Sequence, residues 1–284
     1  MDQISNWINN WLDDLHNNSI MPESDLRAFD KAQVGCAKGD DPLFSFIKTD
    51  IGPDFYWTPD QAFMAAFPNE TVQAQELSVI SWILPQTAHT KKANRQETEL
   101  PSKEWSCARF YGEQVNESLR RHVVEVFAKH GVKACAPVLL PDWTKAMSDK
   151  YGFASSWSER HTAHVCGLGT FGLSDGLITR AGKAIRAGSV IIKRQINPTP
   201  REYTSHNQWC LYAATGKCGV CIKRCPADAI SNDGHDKVKC KAYIRQVTAA
   251  HVEKEQLGIK VNSCGLCQTK VPCENKNPTH RLNT

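Results

Sequence analysis

The sequence lacks the features that mark membrane and secreted proteins. No uninterrupted run of 18 apolar residues occurs in its 284 residues, which excludes a helical membrane span. Residues 1–6 contain no basic stretch followed by an apolar core, so we expect no secretory signal. The net charge of +4 is too small to indicate a nucleic-acid-binding protein.

Cysteine, in contrast, is unusually frequent and unevenly placed. The chain contains 12 cysteines, and eight of them follow residue 209. Without an export signal we expect the reducing cytoplasm, where clustered thiols hold metal more often than they form disulfides. From residue 210 onward there are 12 Lys and Arg against 6 Asp and Glu. The sequence therefore predicts a mildly acidic body followed by a basic, cysteine-rich module.

The joint between these parts is predicted at 197–200, which reads Asn-Pro-Thr-Pro. Two prolines favour extended backbone and block a helix. We therefore predict an α+β domain over residues 1–200 and a cysteine-rich domain over 201–284. A basic run from Arg180 to Arg201 without an intervening acid is expected to form a solvated hairpin face.

Hydrophobic spacing predicts both helices and strands in the body. Apolar residues three and four apart predict a helix over 3–16. Thr58, followed by Pro59 and Gln61, marks the start of another helix. The other predicted elements are a buried strand over 77–84, a helix over 102–129 closed by Gly131, a strand over 132–140, and strands over 177–179 and 189–196 paired through a turn at 180–183.

The cysteine-rich part contains a motif typical of iron–sulfur proteins, Cys218-x2-Cys221-x3-Cys225-Pro. Its Cys-x-x-Cys places two sulfurs on one tight loop, whereas the third cysteine leads into a helix and serves a second cluster. The cysteine that ordinarily precedes this motif by three residues is Thr215 here. Cys210, eight residues before the motif, is the candidate for the missing ligand.

Counting thiols gives eight, the number that two 4Fe–4S clusters need. The crossover arrangement of two-cluster ferredoxins assigns one cluster to Cys210, Cys218, Cys221 and Cys273. It assigns the other cluster to Cys225, Cys240, Cys264 and Cys267. Paired Cys-x-x-Cys motifs also form zinc sites, so a zinc module is the alternative, although the two pairs lie more than forty residues apart.

Residues 161–176 form a glycine-rich segment. Four glycines within ten residues let the backbone approach a large flat ligand, because no Cβ obstructs it. Gly167-x-Gly169-x-x-Gly172 matches a dinucleotide-binding fingerprint. A dinucleotide site needs a strand before this motif and a helix after it, whereas here the predicted order is helix and then strand. Cys166 lies in this segment, so its role is left open. The other three cysteines, with apolar or small neighbours, are predicted core residues: Cys36, Cys107 and Cys135.

Several segments, in this order, resemble epoxyqueuosine reductases, to which the catalytic part of reductive dehalogenases is related. They are Arg109-Phe-Tyr-Gly112, Ala136-Pro-Val-Leu139, Gly167-Leu-Gly-Thr-Phe-Gly172 with Leu177-Ile-Thr179, Gly188-Ser-Val-Ile191 and the eight-cysteine module. The resemblance covers roughly residues 100–275. It implies a nitroreductase-like core that holds cobalamin, followed by a ferredoxin-like module whose two 4Fe–4S clusters feed it electrons. The residues implied to hold cobalamin are Gly167, Leu168, Gly169, Thr170, Phe171, Gly172, Gly188, Ser189 and Val190.

The chain departs from this family at three points. Ala134 stands where the reductases carry the Asp that is assigned as proton donor. The glycine block has Thr170-Phe171 where the family usually has a Trp. The family also continues into a helical-repeat region that helps to hold tRNA, whereas this chain stops eleven residues after Cys273. We therefore expect a substrate other than tRNA.

Three residues are candidate proton donors, Tyr111, His161 and His164. The two histidines lie three residues apart on a predicted helix and hence on one face. A neutral-range pKa makes histidine suitable for proton transfer, while a hydrogen-bonded structural histidine is the alternative interpretation. The default for Tyr111 is a core aromatic. The chain has no Asp-x-His-x-x-Gly motif, so a bound cobalamin is expected to lack a protein imidazole ligand, which suits reductive chemistry.

These patterns together predict a cytoplasmic oxidoreductase that passes electrons from two 4Fe–4S clusters to cobalamin and reduces a small organic substrate. The expected partner is an electron donor such as ferredoxin or flavodoxin, and no membrane is involved. The alternatives are an electron-transfer or corrinoid-reducing protein without its own substrate, and epoxyqueuosine reduction in tRNA.

Overall fold

A computed structural model describes residues 1–280, and its largest sheet has four antiparallel strands. In spatial order they are β1 (Gln33–Lys38), β2 (Ser78–Pro85), β8 (Ile185–Ile192) and β3 (Ala134–Cys135). Three two-stranded ribbons lie outside it: β4 (Lys145–Ser148) with β5 (Gly152–Ser155), β6 (Gly169–Phe171) with β7 (Leu177–Thr179), and β9 (Ile230–Ser231) with β10 (Gly234–His235). The mixture of helix and strand predicted from the sequence is confirmed.

Helices cover both faces of the four-stranded sheet. One face is covered by α1 (Asp2–Asp13) and α5 (Lys103–Lys129). The opposite face is covered by α2 (Pro42–Ile51), α3 (Pro59–Ala66) and α6 (Glu159–Val165). Side chains alternate along β2, so Ile80 and Trp82 pack against the first group while Val79 and Ile83 pack against the second. The body is therefore a three-layer structure with a core on each side of the sheet.

Local signals account for the principal helices. Ile4, Ile8 and Leu12 form the buried stripe of α1, as their spacing predicted. The Ser102 hydroxyl accepts a hydrogen bond from the Trp105 amide at 3.1 Å and caps α5. Thr58 forms the predicted capping box at the start of α3. The short helix α4 (Ala88–Gln96) follows β2 and packs against α5.

Two predictions about strands are wrong. The strand expected over 132–140 is reduced to β3, because Pro137 starts a 3-10 turn (Pro137–Leu139) directly after it. The expected pairing of 177–179 with 189–196 does not form, since β7 pairs with β6 while β8 pairs with β2 and β3. The long apolar run of β8 is buried on both faces, which suits a central strand rather than a hairpin partner.

The cysteine-rich module consists of short helices joined by turns. They are α7 (Leu211–Thr215), α8 (Val220–Lys223), α9 (Lys237–Tyr243) and α10 (Ala249–His251). The π-helical stretch Ile244–Thr248 joins α9 to α10, and a second one, Val252–Leu257, extends α10. Together they form one helical run over 237–257. A 3-10 turn (Leu266–Gln268) lies in the second Cys-x-x-Cys loop, and another (Ala74–Glu76) precedes β2.

The predicted joint at 197–200 is held against the body. The Thr199 amide donates to the Cys36 carbonyl at 2.8 Å, and the Cys36 amide donates to the Thr199 hydroxyl at 3.0 Å. The segment thus follows the free edge of β1 and brings the module back over the body. Among residues 1–280 we find no helix that is long and apolar enough to span a membrane.

Candidate metal centre

Four cysteines from three separate segments line one cavity. The empty space between its lining atoms, part of it open to solvent, is about 350 Å³. Its thiols are those of Cys210, Cys218, Cys221 and Cys273, the same four that the crossover rule assigned to one cluster. We call this the first cysteine group. The rest of the wall is largely apolar and includes Leu173, Ile178 and Val271.

The fold of the module explains how these four thiols meet. Cys210 is the residue before α7, and its neighbours Tyr203 and Trp209 bury it against Ile178 of the body. Cys218 and Cys221 flank Gly219, whose φ of +91° makes the tight turn between them. Cys273 is brought in from the far end of the module, where its carbonyl accepts a hydrogen bond from the Lys183 amide at 2.7 Å.

The other four cysteines form a second group, Cys225, Cys240, Cys264 and Cys267. The pKa of Cys264 is raised to about 12, by burial first and then by the sulfurs of Cys267, Cys240 and Cys225. Burial likewise raises the pKa of Cys240 to about 11, with Cys267 and Cys225 as the next contributors. The thiols of this group thus affect one another's pKa.

Backbone amides also point at this second group. The Ala229 amide donates to Cys225 Sγ at 3.3 Å, and the Leu266 amide donates to Cys264 Sγ. Hydrogen bonds of this kind stabilise thiolate character and set reduction potentials in iron–sulfur sites. Gly265, with φ of +70°, repeats the left-handed turn of Gly219 in the second Cys-x-x-Cys loop.

Cys267 of the second group also affects a thiol of the first group. Its sulfur raises the pKa of Cys221, a member of the first group, as well as that of Cys264 in the second. The two groups are therefore neighbours within one module. Within residues 1–280, no three His, Cys, Asp or Glu side chains are arranged to hold a single metal ion.

A buried lysine shares the first cavity with the thiols. Lys183 was expected on a solvated face, but its side chain is enclosed and lines the cavity. Burial alone would lower the pKa of this ammonium, yet the nearby sulfurs, Cys273 first among them, outweigh burial and raise it. The expectation of a solvated face was wrong for Lys183, since Gly182 and Lys183 are buried, whereas Arg180 is exposed as expected.

Arg224 fastens the second cysteine group to the body. Its Nη1 donates to the Glu97 carbonyl at 2.7 Å, and its Nε donates to the carbonyls of Leu266 and Thr269 at 3.3 and 3.2 Å. The Asn94 amide group reaches the Cys264 carbonyl at 3.3 Å from the body side. The loop that carries Cys264 and Cys267 is therefore held from both directions.

An ion pair with a buried carboxylate fastens the end of the first group in the same way. Arg95 Nε lies 2.8 Å from both carboxylate oxygens of Glu274, the residue after Cys273. The Glu274 carboxylate also accepts the Lys270 amide at 2.7 Å and is almost fully buried. This pair fixes the segment that delivers Cys273 to the cavity.

The glycine-rich segment does not offer the open surface that a corrinoid requires. A Cβ on Gly169 would overlap the Ile178 carbonyl, and a Cβ on Gly188 would lie 2.7 Å from Asn116 Oδ1 and closer still to the indole of Trp82. These glycines therefore admit the chain's own atoms rather than a ligand. The predicted cobalamin-binding residues that are buried or packed on the chain in this way are Gly167, Leu168, Gly169, Thr170, Gly188, Ser189 and Val190.

Polar groups of this segment are also engaged. The Ser189 hydroxyl accepts from Trp157 Nε1 at 3.0 Å and donates to Glu159 at 2.5 Å, and the Thr170 hydroxyl accepts the Trp209 amide at 2.9 Å. Gly167, Phe171 and Gly172 are the predicted corrinoid residues that are partly exposed, and a Cβ on Gly167 would lie 3.2 Å from the Pro200 carbonyl oxygen. The residues expected to hold cobalamin therefore do not fit it in this arrangement, and we derive no chemical step through that group.

The three candidate proton donors are not brought together. His161 Nδ1 lies 2.8 Å from the Ser158 hydroxyl and its ring contacts Phe171, while Tyr111 packs elsewhere, with Cys107 and Ala108 of α5. Burial lowers the pKa of His161 to about 3, so its imidazole is neutral at neutral pH. His161 does not have the neutral-range pKa on which the prediction relied.

His164 has structural partners on every side. Its Nδ1 lies 2.8 Å from the Gly169 carbonyl, and its ring stacks on Tyr203 at 4.9 Å between centroids. The Tyr203 hydroxyl in turn donates to the His164 carbonyl. Burial lowers the pKa of His164 as well. These contacts join α6 to the start of the cysteine-rich module.

The four remaining cysteines lie in the body. All are buried, as the sequence predicted for three of them: Cys36, Cys107, Cys135 and Cys166. Burial raises the pKa of Cys135 to about 12 and that of Cys36 to about 11. These thiols are therefore protonated core side chains.

An open groove lies apart from the cysteines, between α5 and residues 260–262. It encloses about 640 Å³ and has Glu113 in its wall. Glu113 pairs with Arg120 at 3.2 Å, with Arg109 at 3.8 Å and with Arg186, so its charge is compensated by the chain itself.

Sequence reasoning found the eight thiols but missed the residues that position them. Lys183, Arg224 and the Arg95–Glu274 pair carry no motif, because each acts through contacts between segments that lie 40 to 180 residues apart. The one relevant feature of the sequence was the basic run around Lys183, which contains no acid. That feature indicated an exposed lysine, whereas Lys183 is buried.

The fold is shared with a class of reductases. No family model and no curated protein matches the chain. Among solved structures, the catabolic reductive dehalogenase NpRdhA aligns with a TM-score of 0.51 at 14% identity, over 86% of this chain and 30% of its own. A reductive dehalogenase described in terms of B12-dependent dehalogenation aligns with a TM-score of 0.50 at 15% identity, over 88% of this chain and 31% of its own.

An epoxyqueuosine reductase from Streptococcus thermophilus also matches. The identity is 14% and the TM-score 0.49, over 87% of this chain and 65% of the reductase. The chain thus spans less than two thirds of the structures it resembles. The structural neighbours are the epoxyqueuosine reductases and reductive dehalogenases that the sequence motifs indicated, and at these identities the likeness concerns the fold.

Proposed function

We propose that this protein is an iron–sulfur oxidoreductase. Its first cysteine group would hold one 4Fe–4S cluster and its second group the other, within the module that begins near residue 201. The body, residues 1–200, would carry the site at which electrons pass from the clusters to an acceptor. The fold shared with reductive dehalogenases supports a redox role.

The cavity lined by Cys210, Cys218, Cys221 and Cys273 carries this proposal. Three separated segments converge there, and its walls are apolar apart from Lys183. When bound, a 4Fe–4S cluster supplies a centre that accepts or gives one electron. The second group also suits a cluster, because amides of Ala229 and Leu266 donate to its sulfurs.

The chain's own residues protect and insulate these sites. Trp209 and Tyr203 pack with Cys210 in one buried cluster. The loops of the two groups are in contact, since Arg224 Nε, three residues after Cys221, donates to the carbonyl of Leu266, next to Cys267, at 3.3 Å. Lys183 and Ile178 of the body line the first cavity, so the first group is in direct contact with the body.

The electron acceptor and substrate follow from the family resemblance and stay proposals. Cobalamin is the acceptor that the resemblance implies, and a small organic molecule is the substrate class. The glycine-rich segment gives no support for the corrinoid, since its backbone is occupied by Ile178, Trp82 and Asn116. Anaerobic titration with cob(II)alamin decides this point: a shift to the base-off spectrum supports a corrinoid enzyme, and an unchanged spectrum removes cobalamin from the proposal.

The electron donor would dock on the helical run over 237–257. From Lys237 to Val252 this run contains no acid, and Lys239 and Arg245 are exposed on it. Val238 between them is 64% exposed. Cys240 lies in the same turn, so an acidic one-electron carrier such as a ferredoxin or flavodoxin would reach the second group first.

The proposal is tested by anaerobic reconstitution with iron and sulfide. We expect about eight irons and eight sulfides per chain, brown colour and bleaching by dithionite. Cys210→Ala should lose about half of the iron, whereas the matched control Cys107→Ala, a buried thiol outside both groups, should lose none. Colourless protein that binds zinc with no sulfide would contradict the proposal and establish the zinc alternative.

A further inference from the structure

Lys183 occupies an unusual position for a lysine. It follows the tight turn at Gly182 and precedes β8, and its side chain is 3% exposed. Its backbone amide donates to the Cys273 carbonyl at 2.7 Å. The residue is therefore fixed at both ends, by the turn on one side and by a segment of the first cysteine group on the other.

The side chain is held extended toward the cavity. Its methylenes pass over Gly176, where a Cβ would lie 2.8 Å from Lys183 Cδ. Its Nζ donates to the Ser174 hydroxyl at 2.7 Å. One neutral acceptor thus orients the ammonium, and the remaining two N–H bonds of Nζ are available to the cavity.

No carboxylate compensates this charge. Within the described residues, fourteen ion pairs join basic and acidic groups, and none of them involves Lys183. Glu274, the acid nearest in sequence to Cys273, is already bound by Arg95. The groups that share the cavity with Lys183 are instead the thiols of Cys210, Cys218, Cys221 and Cys273.

A buried ammonium without a counter-ion is costly, because it loses its hydration and gains nothing in return. Such a residue is stable only where an anion is bound close to it. Iron in a cubane does not fully neutralise four thiolates and the sulfides, so the ligated cluster is anionic, and it gains one more negative charge on reduction.

We propose that Lys183 is the fixed counter-charge of the cluster in the first cavity and holds its reduction potential above that of the second cluster. This inference rests on the proposed function. A positive charge in a dry cavity stabilises the reduced, more negative cluster more than the oxidised one. An electron that enters at the second group, from the donor or from dithionite, is therefore drawn toward the first group and the body.

The test is a redox titration of the reconstituted protein, followed by electron paramagnetic resonance. In Lys183→Met, one of the two clusters should become harder to reduce by at least tenfold in its equilibrium constant, which corresponds to ~59 mV for one electron. Lys183→Arg keeps the charge and should retain most of the wild-type potential. The matched control Lys217→Met, an exposed lysine next to Cys218, should change neither potential, because water screens it.

A second measurement uses the protein without iron. The uncompensated ammonium should destabilise the apo form, so apo Lys183→Met should unfold at a higher urea concentration than apo wild type. If Lys183→Met fails to retain the first cluster while Lys183→Arg retains it, the charge requirement is supported directly. If neither Lys183→Met nor Lys183→Arg retains the first cluster, the urea unfolding of the apo proteins tests the inference.

Two outcomes overturn the inference without touching the proposed function. One is a fully loaded Lys183→Met protein with both potentials unchanged. The other is an apo variant no more stable than apo wild type together with failure of both variants to hold the cluster. Absence of iron from reconstituted wild type would instead overturn the proposed function itself, so the two failures are distinguishable.

Discussion

Gly265 lies directly against the indole of Trp105. A Cβ on this glycine would overlap the Cε2, Cζ2 and Nε1 atoms of the ring. Trp105 is in the first turn of α5, which is capped by Ser102, so the ring is held by the body. The second Cys-x-x-Cys loop is thus seated on the body through a glycine.

This contact distinguishes two glycines that the sequence presents as equivalent. Gly219 and Gly265 each follow the first cysteine of a Cys-x-x-Cys loop and each has a positive φ. A substitution by alanine costs about 1 kcal/mol in backbone strain at either site. At Gly219 the nearest atom to a new Cβ is Ile222 Cδ1 at 3.4 Å, an ordinary contact, whereas at Gly265 the ring must move.

We therefore expect Gly265→Ala to lower stability by several kcal/mol and to lose up to half of the iron. Gly219→Ala should cost only ~1 kcal/mol and retain the iron. Urea unfolding and iron analysis of the two variants check this. Equal losses of stability and iron in the two variants would show that the Trp105 ring moves aside at little cost. The contact between Gly265 and Trp105 would then not hold the loop in place.

The second prediction concerns Arg224. Lysine at this position keeps the charge but cannot reach the Glu97, Leu266 and Thr269 carbonyls together. Arg224→Lys should lower the free energy of unfolding by roughly 2–4 kcal/mol, because buried carbonyls lose their donor. Limited proteolysis should then cut the module faster. Lys223→Ala, an exposed neighbour, is the control, and a proteolysis rate equal to wild type in Arg224→Lys would contradict the role of Arg224.

The third prediction is a pH dependence from His161. The pKa of its imidazole is about 3 in the folded protein, against an unfolded value near 6.5. Between these values the unfolded chain binds a proton that the folded chain does not, so stability falls as the pH decreases below about 6.5. The slope contributed is up to ~1.4 kcal/mol per pH unit.

His161→Gln should flatten the stability profile between pH 6.5 and pH 5, as measured by urea unfolding at each pH. His16→Gln, an exposed histidine in the turn after α1, serves as the control and should leave the profile unchanged. A His161→Gln profile that is parallel to wild type would show that the ring is protonated in the folded protein.

The fourth prediction concerns donor docking. Lys239→Gln with Arg245→Gln removes two exposed positive charges beside Cys240. We expect the second-order rate of reduction by an acidic ferredoxin to fall about tenfold at low salt, and its ionic-strength dependence to weaken. Stopped-flow absorbance measures both quantities.

The control for donor docking removes the same charge elsewhere, with Lys31→Gln and Lys129→Gln on the body. Photoreduction by uncharged deazariboflavin should be equal in all variants. If the two double variants lose rate equally, only net charge matters, and the helical run over 237–257 is not the docking surface.

The sequence alone determined which thiols the module offers and how they are spaced. Eight thiols at fixed spacings, with Pro after Cys225 and Gly inside both Cys-x-x-Cys loops, are local features that depend only on short-range geometry. The pairing of Cys210 and Cys273 with Cys218 and Cys221 also followed from the crossover rule, and the cavity contains those four. The helices α1, α3 and α5 followed in the same way from apolar spacing and caps.

Tertiary structure decided what surrounds those thiols. The glycines of 167–172 face the chain's own atoms because Ile178 packs against them. Lys183 is enclosed because segments between residues 210 and 273 fold back over it. Burial and charge compensation arise from contacts between distant segments, and a linear pattern carries no information about which distant segment arrives. For that reason the pattern of thiols was readable from spacing, whereas the buried lysine and the closed glycine segment were found only in the folded chain.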